Sequence, residues 1–131
     1  ASAAKERILF KGFFFFLEYY LTLNSCDIFC MTRVNSQFAN AGFPFKLGEF
    51  LASGKGVIAT KVGDVTKYLH HEENALLINP DSVSEIVEAL SVFINDPGKI
   101  NVLGAAARKT AETNFDSEKI SMELLSVFNS I

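Results

Sequence analysis

Three residue types that could do chemistry together, a glycine, a lysine and a glutamate, fall within one stretch. It runs Gly42-Phe43-Pro44-Phe45-Lys46-Leu47-Gly48-Glu49-Phe50-Leu51-Ala52-Ser53-Gly54. The free backbone N–H groups at a helix start attract anions, and Gly42 lets a ligand approach the backbone closely. Glu49 lies five residues past Pro44, about 7–8 Å along a helix rising 1.5 Å per residue. That separation suits a diphosphate on the helix end and a ribose diol on the carboxylate. The expected nucleotide contacts are therefore Gly42, Phe43, Pro44, Phe45, Lys46 and Glu49. Phe43 reads as a packing anchor rather than a base-stacking platform. Glu49 has a plainer reading too, as an exposed helix glutamate paired with Lys46 or Ser53.

The elements that must position these residues follow from local rules. Pro44 suits the first helical position, where its fixed φ is already helical and its missing N–H is not needed. Gly54 follows the last helical residue and suits the left-handed stop conformation. Leu47, Phe50 and Leu51, at i, i+3 and i+4, give the helix a buried face, while Lys46 and Glu49 share another side. The next string, Lys55-Gly56-Val57-Ile58-Ala59-Thr60-Lys61-Val62-Gly63-Asp64, contains a continuous apolar run over Gly56 to Thr60. Such a run predicts a parallel strand covered on both faces. Gly63 and Asp64 would then lie at its carboxyl end, where open α/β sheets place ligands. Asp64 reads as a helix N-cap or as a group orienting a sugar or acceptor hydroxyl.

Together, GFPFKLGEFLASGKGVIATKVGD resembles the C-terminal, donor-binding half of GT-B fold glycosyltransferases of the retaining family 4, or group 1, type. That family carries an acidic pair spaced E-x7-E followed by A-x-G-x-P-V-I-A-T-x-V-G-G. Glu49 matches the second acid, which the resemblance implies grips the ribose hydroxyls. Ala41 stands where the first acid would be, Gly56 replaces the usual Pro and Asp64 the second Gly. The Ala41 departure bears on the donor-sugar contact, not on the nucleotide contact. The resemblance runs from about Arg7 to about Asn114. It implies transfer of a sugar from a nucleotide sugar to an acceptor, with no metal and no cofactor. The acceptor, a glycan or lipid-linked saccharide, is left unnamed, and so are the catalytic residues. It further implies a cytoplasmic location, including the inner face of the membrane.

Composition agrees with a globular domain. The chain has 131 residues, 49% apolar and 21% charged, with net charge −3, which argues against a general nucleic-acid binder. Residues 1–70 hold eight basic and five acidic side chains, the remainder four and ten. Lys46, Lys55, Lys61 and Lys67 all lie around the proposed anion site, either as a phosphate field or as a solvated surface. The chain does not begin with Met, and one partial domain from a longer protein is expected. Cys26 and Cys30 lie in a strand-like run, where four residues span about 13 Å, too far for a disulfide. They read as buried free thiols. His70 and His71 are adjacent, point different ways and read as a surface pair rather than metal ligands.

Along the chain, a strand is expected over 5–10 and a helix over about Phe14 to Asn24. The apolar run from Gly12 to Leu23 is too short to span a bilayer. It reads as a buried helix, or as an aromatic surface resting on a membrane. Strands follow at Asp27 to Met31, Gly56 to Thr60 and Ala75 to Ile78, with a polar loop over Thr32 to Ala41. Ser82-Val83-Ser84-Glu85 is a capping box opening a helix with Val83, Ile86, Leu90, Phe93 and Ile94 on its apolar face. Asp96-Pro97-Gly98 ends it. Two more helices run from Lys99 to Glu112 and from Phe115 onward, the last with Ile120, Leu124, Leu125 and Phe128 on one side. The fold class is α/β, a parallel Rossmann-like sheet with flanking helices.

The resembling domain has six strands in order 3-2-1-4-5-6, and only the last four are matched. The first two are absent, and with them the R-L-x-x-x-K-G segment that binds the donor diphosphate. Strand 7–10 then has no neighbour, and exchange between two copies is the expected outcome. The alternatives are direct pairing with strand 27–31 or a detached N-terminal segment. A non-catalytic nucleotide- or phosphate-binding module, or a structural remnant of the same fold, is the competing reading of function. An epimerase of the GT-B fold is a third.

Overall fold

Every residue from Gly56 to Thr60 is buried, and this strand is the centre of the sheet. The computed structural model describes residues 7–130. Strands β1 (Ile28–Met31), β2 (Gly56–Thr60) and β3 (Leu76–Ile78) pair in parallel in the order β1-β2-β3. The register sets Phe29 against Val57 and Ile58 against Leu76. Around them lie helices α1 (Phe16–Asn24), α2 (Gln37–Asn40), α3 (Phe45–Ala52), α4 (Val65–Tyr68), α5 (Val83–Asn95), α6 (Pro97–Asn114) and α7 (Ser117–Phe128).

The two-residue period of a strand divides the core between two faces. Val57, Ala59 and Leu77 pack with Leu47 and Leu51 of α3 and with Ala107 and Ala111 of α6. Ile58, Leu76 and Ile78 pack on the other face with Ala89 and Phe93 of α5 and Leu103 of α6. Helix α6 thus serves both faces. It crosses where Gly104 meets Gly54, so closely that a Cβ on Gly104 would lie 2.2 Å from the Gly54 carbonyl oxygen. Gly56, standing where the family pattern has Pro, donates its N–H to the Asp27 carbonyl at 3.1 Å, a bond that Pro could not make.

Caps explain the helix boundaries. Ser82 accepts from the Glu85 N–H, the first half of a capping box. The second half differs: Glu85 bonds the Asn79 backbone N–H at 2.7 Å and its side-chain amide at 2.9 Å. These bonds hold the Glu85 carboxyl below its ordinary range. Asp96 caps α6 with Pro97 in its first turn, and Asp116 caps α7. Buried Asn74 ties the loop before β3 to α6, accepting from His70 N–H and donating to the Tyr68 carbonyl and Thr110 Oγ1.

The N-terminal expectations are corrected. Residues 8–10 form no strand, residues 5 and 6 lie outside the described residues, and among the described residues the sheet has three strands rather than four. Helix α1 starts at Phe16 and contains no buried residue. Phe10, Phe13, Phe15 and Phe16 are at least 80% exposed, because no described element covers them. Cys26 is half-buried and Cys30 exposed, so neither is the buried thiol expected. In α5, Phe93 and Ala89 are buried while Val83 and Ile94 face solvent: Ile94 is turned about 100° round the helix from Phe93, and Val83 is the first residue of the helix. The polar loop after β1 contains α2, a one-turn helix capped by Ser36. Among the described residues, no helix is long and apolar enough to cross a membrane.

Candidate functional site

The loop after β1 and the turn after β2 meet at the carboxyl end of the sheet. Gly63 takes a left-handed φ of +54°, and a Cβ there would lie 2.5 Å from the Gly42 carbonyl oxygen and 2.8 Å from that of Ala39. The Gly63 N–H donates to Asn40 Oδ1 at 3.0 Å, while Asn40 Nδ2 donates to Asn35 Oδ1 at 2.8 Å. Asn35 N–H in turn donates to Asp81, at the exit of β3. Asn35, Asn40 and Asp81 thus join the ends of all three strands. Sequence reading missed them, since a polar residue in a polar loop gives no periodic signal.

Two expected site residues, Gly42 and Gly63, are therefore brought together against the start of α3. Pro44 occupies the cap position, with ψ 109°, rather than the first helical position, so helical backbone begins at Phe45. The ring fixes φ in either place; the extended ψ carries the chain out of the Phe43 packing site. Phe43 stacks on Phe115 at 5.0 Å and meets Tyr68 edge-on at 5.2 Å, which makes it the packing anchor. Leu47 N–H bonds the Pro44 carbonyl at 2.9 Å. The amides of Phe45 and Lys46 have no partner among the described residues and stand at the positive end of the helix dipole. Lys46 is exposed. At the other end of α3, Gly54 takes the left-handed φ of +70°, and Arg108 of α6 donates to the Ala52 carbonyl at 3.2 Å.

Glu49 is exposed and pairs with neither Lys46 nor Ser53. Its Oε2 accepts instead from the hydroxyl of Tyr19 on α1. The Tyr19 phenol is pushed up to about 12 by desolvation first, then by the hydrogen bond to Glu49 and its negative charge, with a smaller effect of Tyr20. Glu49 also borders a groove of about 740 Å³ between α3, α6 and α7, shared with Phe45, Arg108, Phe115 and Ile120. Asp64 stands at the cap position of α4, but its side chain caps nothing; it pairs with Lys67 at 2.8 Å. Ala41, at the exposed end of α2, offers no carboxylate. His70 and His71 are exposed, and His71 Nδ1 accepts from the Leu77 N–H. Among the described residues, no three His, Cys, Asp or Glu side chains converge on a common metal position.

The family model described as "Glycosyl transferases group 1" matches residues 1–96. The chain belongs to this family. No curated protein matches the chain. Among solved structures, HepE of Anabaena in complex with UDP is similar with a TM-score of 0.77 and 23% identity, over 84% of this chain and 29% of HepE. Sucrose-phosphate synthase of Thermosynechococcus elongatus gives 0.69 and 22%, over 86% of this chain and 27% of the synthase. The C-terminal domain of the group 1 glycosyltransferase LpcC of Francisella tularensis gives 0.71 and 24%, over 82% of this chain and 53% of that domain. The fold is that of a partial GT-B C-terminal domain, and the chain spans less than a third of the length of HepE.

Proposed function

We propose that this group 1 chain is part of the donor-binding domain of a retaining glycosyltransferase, taking a nucleoside-diphosphate sugar and passing its sugar to an acceptor bound elsewhere. The observation that carries the reading is the meeting of Gly42 and Gly63 beside the start of α3, where the Phe45 and Lys46 amides lack partners among the described residues and Lys46 and Glu49 are exposed on the same helix. The amides and Lys46 would receive the diphosphate and stabilise the charge that grows on it as it leaves. Glu49 would take the ribose hydroxyls. Gly63 and Asp64 would face the sugar or acceptor. The arrangement needs no metal, since amides and a lysine supply the positive charge. The HepE complexes with UDP and UDP-glucose support a nucleotide-sugar ligand for this fold.

The competing reading, a non-catalytic nucleotide-binding module, is favoured by the missing acid at Ala41. A thermal-shift panel of UDP-, GDP- and ADP-sugars on the full-length protein, paired with a sugar-transfer assay, separates them. Stabilisation with transfer supports the enzyme; stabilisation without transfer supports the module; no stabilisation removes both. The exposed phenylalanines ahead of α1 favour peripheral contact with a cytoplasmic membrane face, which co-sedimentation with anionic vesicles tests.

A further inference from the structure

Tyr19 and Glu49 are thirty positions apart, and among the described residues theirs is the one hydrogen bond between a side chain of α1 and a side chain outside it. It engages the carboxylate proposed above for the ribose. Glu49 lies on an exposed helix face, with neither Lys46 nor Ser53 restraining it. A free glutamate there samples many rotamers, and fixing it on ligand binding costs entropy. Tyrosine has few rotatable bonds, and the Tyr19 ring is braced by Phe14 at 6.3 Å and Tyr20 at 5.5 Å. Its hydroxyl donates to Oε2 alone, leaving Oε1 and one lone pair of Oε2 free to accept.

We propose that Tyr19 is a positioning residue, holding the Glu49 carboxylate in the orientation that accepts both hydroxyls of a ribose cis-diol. The inference rests on the donor-binding reading of Glu49. The phenol keeps its proton well above neutral pH, so Tyr19 remains the donor and Glu49 the acceptor under working conditions. A carboxylate fixed in this way distinguishes a ribonucleotide from its 2′-deoxy counterpart, because the second hydroxyl then meets an oriented acceptor. Catalysis itself does not pass through Tyr19.

The test is a double-mutant cycle by calorimetry on the full-length protein, using UDP, GDP and ADP and then the 2′-deoxy form of whichever binds tightest. Tyr19→Phe keeps the ring and removes only the donor. It is expected to weaken the ribonucleotide about three- to tenfold, the range for one lost hydrogen bond, and to leave the 2′-deoxy form nearly unchanged. In a Glu49→Ala background, the same change should have no further effect. Unaltered or tighter ribonucleotide binding by Tyr19→Phe overturns the proposal, the tighter case making Tyr19 a competitor for Glu49. Equal losses in both backgrounds overturn it in favour of a general structural role. If Glu49→Ala itself leaves binding intact, the donor-binding reading of Glu49 fails, and the positioning role fails with it.

Discussion

Gly63 and Gly42, twenty-one positions apart, approach so closely that the first has no room for a side chain. A Cβ on Gly63 would sit 2.5 Å from the Gly42 carbonyl oxygen, and the backbone there has φ +54°. Gly63→Ala is therefore expected to destabilise through both strain and collision. The left-handed conformation alone costs about 1–3 kcal/mol, and the displaced Gly42 loop should weaken nucleotide binding as well. Urea denaturation measures the first effect and calorimetry the second. A variant with wild-type stability would show that the two turns do not meet as described.

Glu49→Ala should act in the opposite pattern, on binding and not on folding. Glu49 is exposed and off the buried Leu47–Leu51 face of α3. Loss of a charged hydrogen bond to the ribose should cost about 1.5–3 kcal/mol of donor affinity. A melting temperature that drops sharply in Glu49→Ala, with nucleotide affinity untouched, would make Glu49 structural.

Much of this division was legible in the sequence. Val57 to Ala59 announced a two-sided strand, and Ser82 marked a helix start through its capping box, whereas Asp96, legible only as the end of α5, also caps α6. Leu47 and Leu51 marked the inner face of α3. The N-terminal segment was misread because burial is a tertiary quantity. Phe13 and Phe16 are apolar enough for a core, yet no described element lies over them. Ile94 is turned about 100° from buried Phe93 and Val83 stands at the first residue of α5, so neither is buried. The site was half legible: spacing along α3 gave Glu49 and Lys46, but no local period brings Tyr19 to Glu49 or Asn40 to Gly63.

Asn74 tests a different part of the scaffold. It is 7% exposed, and both ends of its amide are used, toward His70, Tyr68 and Thr110. Asn74→Leu keeps the approximate volume but strands those partners. Each buried group left unpaired costs about 1–3 kcal/mol, so the variant should unfold at distinctly lower urea. Thr110→Val, which removes a single partner, should lose less. Equal stability of Asn74→Leu and wild type would mean water replaces the amide.

Alkali should undo the Tyr19–Glu49 contact. The folded Tyr19 pKa of about 12 lies above the unfolded value of about 10. A raised pKa makes the contribution of the contact fully present below about pH 10, and it is lost as pH rises through about 12. Tyrosinate absorbance should therefore show a late step that Tyr19→Phe abolishes. A titration curve whose high-pH portion is the same in both proteins would leave Tyr19 free of Glu49.

Self-association is the expected behaviour of the isolated 131-residue chain. Strand β1, Ile28–Met31, pairs on one side with β2, and its outer edge meets no strand among the described residues. Residues 8–10, which carry strand-like sequence, pair with no strand among the described residues, and Phe10 and Phe13 stand 95% and 109% exposed. Open backbone groups at a sheet edge and an adjacent unpaired apolar segment are complementary needs. Supplying that segment from a second copy meets both at once, with the same exchange reciprocated by the partner. The direct alternative, pairing within one copy, is not adopted. Light scattering over a micromolar concentration series should thus give a mass above that of the monomer, and Ile28→Pro, which removes an edge donor, should lower it. The same preparation should transfer no sugar. A constant monomer mass across the series would exclude the exchanged dimer and leave the segment to a different partner.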